Sequence, residues 1–374
     1  MHELTIDRVG VYAVGPKTER YTWASDMSEQ YMTNNIVRIH TRGGLEGIGG
    51  AASYTEYAFD RAVAETMRPM LWPLLGASPL DRAALWDRLW TLNIPLAPQA
   101  QSAIDIALWD LAAKAAGLPL YRLLGASRDR IPSYASTPLL PDARAYVDFV
   151  DDLKRQGFAA IKFHAWCEID RDLALCRAVH ERFRGSGMTL MLDVEQRYSR
   201  VDALRAAREL EAMGFRWFEA PLPDTDLEGY RELRRQVGIP ILPAGNWVLD
   251  PHLIQLGIGM GCWSAVRVDA TVAGGITPGR KIMALAEAHG LDTELQCWGY
   301  TLTQAANLHL MLAHRNCTYF EQPVPYPAFE HGVRDAIRTD SAGLVHAPQG
   351  SGLGIRVDWE AVEAATILHY EVTG

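Results

Sequence analysis

Thr189-Leu-Met-Leu-Asp-Val-Glu195 and Arg216-Trp-Phe-Glu219 decide the fold. Each is a short apolar run closed by a carboxylate, and a charged stretch of helical period lies between them. Outward from this pair the rhythm continues through Ala159–His164 and Pro132–Ala135 on one side. On the other side follow Pro240–Leu242, Ala265–Asp269, Asp292–Gln296 and Thr318–Glu321. Repeated β-α units of this kind predict eight parallel strands closed into a TIM-type (β/α)8 barrel. A polar residue follows nearly every run: Lys162 and His164, Asp193 and Glu195, Glu219, Asn246, Asp269, Gln296, Glu321. In a parallel barrel these positions converge on one mouth at the C-terminal ends of the strands, where catalytic groups sit.

The residues before the barrel have a different period. Ile6 to Val14 and Asn35 to His40 alternate as antiparallel strands, with Gly43-Gly44 and Gly47 to Gly50 read as turns. Two helical stretches follow, Tyr57 to Leu75 and Pro79 to Thr91, and Ser102 with Asp105 reads as the capping box of a third helix that Gly117 and Pro119 stop. The expected organisation is an α+β capping domain over residues 1–127, a barrel over 128–327, and a tail from about 328 to 374 that folds back on the cap.

A formal net charge of -9 argues against a nucleic-acid partner, which would call for basic patches. No stretch is long and apolar enough to read as a membrane helix, and Met1 to Gly10 lacks the apolar core of a signal peptide. Five scattered cysteines without a CxxC pair read as reduced thiols, so a cytoplasmic location is expected.

Asp193 and Glu219 end successive strands, which brings two carboxylates within one coordination sphere. Hard oxygen donors, with no competing His/Cys set, favour Mg²⁺. Lys162 and His164 are two apart on one strand and share the interior face. The lysine can neutralise a substrate carboxylate or, with a depressed pKa, act as a base; the histidine can carry a proton at neutral pH.

The helix Ala100-Gln-Ser-Ala-Ile-Asp-Ile-Ala-Leu-Trp-Asp-Leu-Ala-Ala-Lys-Ala-Ala-Gly-Leu-Pro-Leu-Tyr-Arg-Leu-Leu-Gly125 resembles the segment joining cap to barrel in the enolase superfamily, in its mandelate racemase/muconate lactonizing enzyme branch. Trp217-Phe-Glu-Ala-Pro-Leu222, Val268-Asp-Ala-Thr-Val-Ala-Gly-Gly-Ile-Thr277 and Gly352-Leu-Gly-Ile355 are similar to it too. The resemblance implies a Mg²⁺ that gathers a substrate carboxylate and stabilises an enediolate after α-proton abstraction. It makes Asp193 and Glu219 metal ligands and Lys162 a carboxylate contact. Glu321 becomes an acid hydrogen-bonded to the carboxylate, and Asp269 the residue that orients a catalytic histidine.

Three positions depart from that pattern. His164 stands where the second lysine of the Lys-x-Lys pair is expected. Gln296 stands at the catalytic histidine and cannot take a proton. At the third metal ligand, Ile239-Pro-Ile-Leu-Pro-Ala-Gly-Asn-Trp247 aligned without a gap presents Gly245, with Asn246 beside it as the candidate ligand. Glu195 is a further candidate, as ligand or proton carrier. With a base on one face only, dehydration of an aldonate or aldarate to a 2-keto-3-deoxy acid is the leading expectation. An epimerase or cycloisomerase, and a non-catalytic carboxylate-binding barrel, are the alternatives. Trp298 and Trp23 are candidate substrate contacts, with Met27, Tyr31 and Met32 in the same cap loop; Arg20 and His40 are candidates for a distal carboxylate. His309 reads as structural. The partner expected is a small carboxylate, and relatives of this kind imply a dimer or octamer.

Overall fold

The computed structural model describes residues 2–19, 21–23, 34–52, 57–93 and 98–374; Arg20, Met27, Tyr31 and Met32 lie outside them. Strands β1 (Ile6–Val14), β2 (Asn34–Thr41) and β3 (Glu46–Ala52) form an antiparallel sheet. The glycines Gly47, Gly49 and Gly50, expected to turn the chain, instead lie within β3. The reason is close approach to the helix Pro98–Ala115. A Cβ on Gly47 would lie 2.4 Å from the Ala107 carbonyl oxygen, and one on Gly49 2.1 Å from that of Ala103.

That helix also begins earlier than expected. Ser102 is interior to it rather than its cap: its hydroxyl donates to the Pro98 carbonyl at 3.1 Å and accepts from Gly274 N–H at 2.8 Å. Asp105 likewise serves the barrel, accepting from Thr277 N–H (2.9 Å) and Thr277 Oγ (2.6 Å). Its carboxylate thereby supplies the N-terminal cap of the helix Ile276–Ala288, whose own Gly275 has no side chain. A Cβ on Gly275, at φ 109°, would meet Asp105 Oδ2 at 2.2 Å. Asp110 acts similarly on the tail, accepting from Ile48 N–H (2.9 Å) and Leu353 N–H (2.6 Å), and it leaves no room for a side chain on Gly352.

The barrel strands are β4 (Arg130–Ser136), β5 (Ala160–His164), β6 (Thr189–Asp193), β7 (Phe218–Glu219), β8 (Ile241–Leu242), β9 (Ala265–Val268), β10 (Asp292–Leu295) and β11 (Phe320–Pro323). They make the α/β barrel that the sequence predicts. A parallel ladder runs in the order β11-β4-β5-β6-β7-β8, and β9 pairs with β10. At the β8/β9 seam Ser264 N–H bonds to the Ile241 carbonyl (2.9 Å), and at the β10/β11 seam Glu294 accepts from Thr318 N–H (3.1 Å). After the barrel, β12 (Leu344–His346) runs antiparallel beside β4, and β13 (Thr366–Thr373) pairs antiparallel with β1 as the fourth strand of the cap sheet.

The interior is built in layers, as the two-residue period of each strand dictates. Tyr134, Ala160, Met191, Trp217, Leu242, Ala265 and Tyr319 form an apolar plug. Two residues further along the same strands stand Ser136, Lys162, Asp193, Glu219, Arg267 and Glu321, all buried. The plug gives the charged layer a floor that excludes water.

Candidate active site

Lys162 is the hub of the charged layer. Its Nζ lies 2.8 Å from Glu219 Oε1, 2.9 Å from Glu321 Oε1 and 3.2 Å from Asp193 Oδ2, with 1% of the side chain exposed. Burial and the neighbouring Arg267 pull its pKa down, but the three carboxylates outweigh them and hold it above the ordinary lysine value. The ammonium is therefore a fixed cation, and this environment does not make it a base.

Arg267 is the second cation, and it lies within the β9 run rather than at the strand end where the other polar residues fall. Its Nη2 lies 3.0 Å from Glu321 Oε2, and its Nε lies 2.6 Å from Glu219 Oε1. The Nε contact is a close ion pair rather than an aligned hydrogen bond, and Nη1 has no hydrogen-bond partner among the described residues. A signal was available: Arg267 interrupts an apolar run and shares parity with Asp269, so it faces the barrel interior.

Glu321 accepts from Ser136 Oγ (2.9 Å) and Cys297 N–H (2.9 Å) as well as from both cations. Burial alone would raise its pKa, but Lys162 and Arg267 reverse that and hold it at about 2. Glu219 is fully engaged, its Oε2 accepting from Trp217 Nε1 at 3.2 Å.

His164 closes β5. Its Nδ1 contacts the Thr137 carbonyl, and a carbonyl only accepts, so Nδ1 carries the proton. The other nitrogen, Nε2, then faces Asp193 Oδ2 (3.3 Å) and Glu195 Oε1 (3.4 Å). Burial and the charge of Asp193 push Glu195 up to about 8. Lys162 and His164 outweigh burial at Asp193 and hold it well below the usual carboxylate range. Ligand atoms of His164, Asp193 and Glu195 lie within 4.8 Å of one another, close enough to share a metal ion. Cys167, Glu195, Gln196 and Ala220 all have positive φ, from 47° to 64°, in the loops that end β5, β6 and β7. Strain of this kind concentrates at functional sites.

Lys162, His164, Asp193, Glu195, Arg267 and Glu321 line a cavity of about 100 Å³ together with Trp23, Asn246, Gln296 and Trp298. Asn246 is presented by a loop that Asp224, another residue missed in the sequence, holds in place. Its carboxylate accepts from Ala244 N–H (2.8 Å), Asn246 N–H (2.9 Å) and Trp247 N–H (3.1 Å). Asn246 Oδ1, Gln296 Oε1 and Trp298 Nε1 have no protein partner among the described residues, while Gln296 Nε2 donates to the Ala244 carbonyl at 2.7 Å. Trp23 from the cap packs on Trp298 (ring centroids 5.0 Å apart), and both rings meet His164 edge-on, at 6.4 and 5.5 Å.

Asp269 stands apart from this cavity. Its Oδ1 accepts from Thr271 N–H, Thr271 Oγ and Asn307 Nδ2, each at 2.7 Å, which ties β9 to the helix Thr301–Ala313. His309 is fully buried, accepting from Tyr121 N–H (3.0 Å) and bonded through Nε2 to the Leu353 carbonyl (3.1 Å). His40 lies in the cap sheet beside Glu46. Among the described residues no helix is long and apolar enough to cross a membrane.

A barrel whose mouth gathers carboxylates, a lysine and a histidine under a cap defines a class, and comparison with known proteins agrees. Residues 9–125 match the mandelate racemase/muconate lactonizing enzyme N-terminal domain, and residues 145–362 match the enolase C-terminal domain-like family. The chain belongs to the mandelate racemase/muconate lactonizing enzyme group of the enolase superfamily.

A solved protein from Pseudovibrio sp., assigned to the same group, is 42% identical with a TM-score of 0.96 over 99% of both chains. L-talarate/galactarate dehydratase from Salmonella typhimurium is 33% identical over 267 residues, 68% of this chain and 65% of that one. A solved variant of L-talarate/galactarate dehydratase, with Mg and L-glucarate bound, has a TM-score of 0.88 at 26% identity, covering 99% of this chain and 93% of that one. D-galactarolactone cycloisomerase from Agrobacterium fabrum is 28% identical over 310 residues, 77% of this chain and 81% of that one.

Proposed function

We propose that this protein removes the proton α to the carboxylate of a sugar acid (an aldonate or aldarate) and expels the β-hydroxyl, giving a 2-keto-3-deoxy acid. The observation that carries the reading is the His164 tautomer. Its Nδ1 is committed to the Thr137 carbonyl, so Nε2, beside Asp193 and Glu195, is the ring nitrogen that can exchange a proton with the cavity, with Gln296, which cannot accept a proton, in the same wall.

Lys162 and Arg267 are the cations beside the cavity, and Arg267 Nη1, which has no hydrogen-bond partner among the described residues, is free to meet the substrate carboxylate. Nε2 takes the α-proton, and the C–H electron pair moves into the carboxylate as an enediolate. That pair then expels the β-hydroxyl, which leaves as water with the proton from the imidazolium. The resulting enol tautomerises to the keto acid. Preorganised cations pay no reorganisation cost as this charge develops. Asn246 Oδ1 and Gln296 Oε1 are acceptors for substrate hydroxyls, and Trp23 and Trp298 exclude water from the His164 face.

Mg²⁺ is the cation that the superfamily implies. Asp193 and Asn246 offer oxygens to it, but Glu219, the remaining expected ligand, does not fit while Lys162 and Arg267 hold its oxygen. The test is incubation with a library of acid sugars, with and without Mg²⁺. A keto acid product, with solvent deuterium retained at C3, is expected; α-hydrogen exchange that ends in epimer without keto acid would move the protein to the isomerases.

A further inference from the structure

Glu219 ends β7 where the superfamily resemblance expects a metal ligand, yet its side-chain contacts among the described residues are to nitrogens. Oε1 lies 2.8 Å from Lys162 Nζ and 2.6 Å from Arg267 Nε, and Oε2 accepts from Trp217 Nε1. The whole group is buried: Lys162, Glu219, Arg267 and Glu321 are each 1% exposed. The same guanidinium reaches Glu321 Oε2 through Nη2 at 3.0 Å, so one planar fork spans carboxylates from β7 and β11. Buried ions persist where they are paired, and Arg267 pairs both of these.

A divalent cation needs an oxygen lone pair at about 2.0–2.1 Å for Mg²⁺. At Glu219 Oε1 that place is flanked by two fixed cations, which would have to withdraw or repel the incoming ion. Asp193 differs. Its Oδ2 faces His164 and, at 3.2 Å, Lys162, and it lies on the cavity wall with Asn246, whose Oδ1 has no partner among the described residues.

We propose that Arg267 takes the place of a metal ion at Glu219, so that Glu219 is not a ligand and any divalent cation this chain binds is held by Asp193 on the other side of the cavity. Arg267 is thus a built-in competitor for the metal. The positive charge that an ion would supply at this carboxylate is here covalently part of β9. The inference concerns cation binding only and does not depend on which acid is the substrate.

The test is Mn²⁺ binding to the full chain, followed by the electron paramagnetic resonance of free Mn²⁺ and by calorimetry, with folding checked by circular dichroism. Asp193→Asn is expected to weaken binding by about tenfold or more, and Glu219→Gln to leave it within about threefold of the parent. Arg267→Gln is expected to tighten binding by about tenfold, a gain abolished in the Arg267→Gln/Glu219→Gln double variant. A parent chain that binds no Mn²⁺ while Arg267→Gln does supports the proposal equally. It is overturned if Glu219→Gln weakens binding as much as Asp193→Asn, if folded Arg267→Gln binds no more tightly than the parent, or if no variant binds Mn²⁺. Should Arg267→Gln fail to fold, Arg267→Lys keeps the charge without the fork. Glu219→Gln in the parent background then decides the matter through its comparison with Asp193→Asn.

Discussion

Arg267 Nε lies 2.6 Å from Glu219 Oε1, joining a cation from β9 to a carboxylate from β7 across the floor of the barrel mouth. Neither residue can be removed singly without leaving the other charge buried. Arg267→Met is expected to destabilise the fold by about 3–5 kcal/mol, the scale of breaking a buried pair, and urea denaturation measures it. The paired change with Glu219→Gln should recover part of that loss. A double variant no more stable than the sum of the two singles would show that the two side chains do not interact.

Lys162 is held charged by Glu219, Glu321 and Asp193, so it is assigned to electrostatics rather than proton transfer. Lys162→Met should lower kcat/KM by about 10²–10³ through loss of one preorganised cation. In an assay of α-proton exchange into deuterated water, residual exchange should persist in that variant and still depend on His164.

The cap and barrel are joined through glycines that the signature helix leaves no room to replace. Gly275→Ala would force a Cβ against Asp105 at a φ of 109°, and Gly352→Ala would do the same against Asp110 at 73°. Each should cost about 2–4 kcal/mol and lower the melting temperature by several degrees, as read by calorimetry.

His309 links acid stability to the core. Burial lowers its pKa to about 4, below the unfolded value near 6.5. The unfolded chain therefore binds the proton first. Stability from this residue is complete above about pH 6.5, falls as pH drops towards 4, and levels off below that, a total of about 3 kcal/mol. Asp105 acts oppositely: burial raises it to about 7, so its contribution is lost as pH rises through that value. The two are separated by comparing the parent with His309→Gln between pH 7 and 4. The variant should start less stable and lose less on acidification; parallel curves would show that His309 does not titrate in this window.

The barrel was legible because each strand is an apolar run closed by a polar residue, and that pattern also delivered Lys162, His164, Asp193, Glu219 and Glu321. What it missed were relationships across the chain. Gly47 and Gly49 look like turn residues until the helix that crosses them is known. Ser102 and Asp105 carry a capping-box signature, but they serve Gly274 and Thr277, 172 residues away. Arg267 was visible as a charge inside an apolar run, but only the closed barrel brings it to Glu219. Asp224 lies in a loop after β7, and its task of shaping the Asn246 loop depends on backbone geometry that no local pattern encodes.

The most direct test of the account is transfer of solvent deuterium to the α-position or the product of an acid-sugar substrate, followed by proton NMR in deuterated water, for the parent and His164→Asn. The parent is expected to incorporate deuterium and form keto acid, and the variant to lose about 10³-fold or more of both while folding unchanged. Exchange at the parental rate in His164→Asn would contradict it, because the proton would then be leaving towards another group.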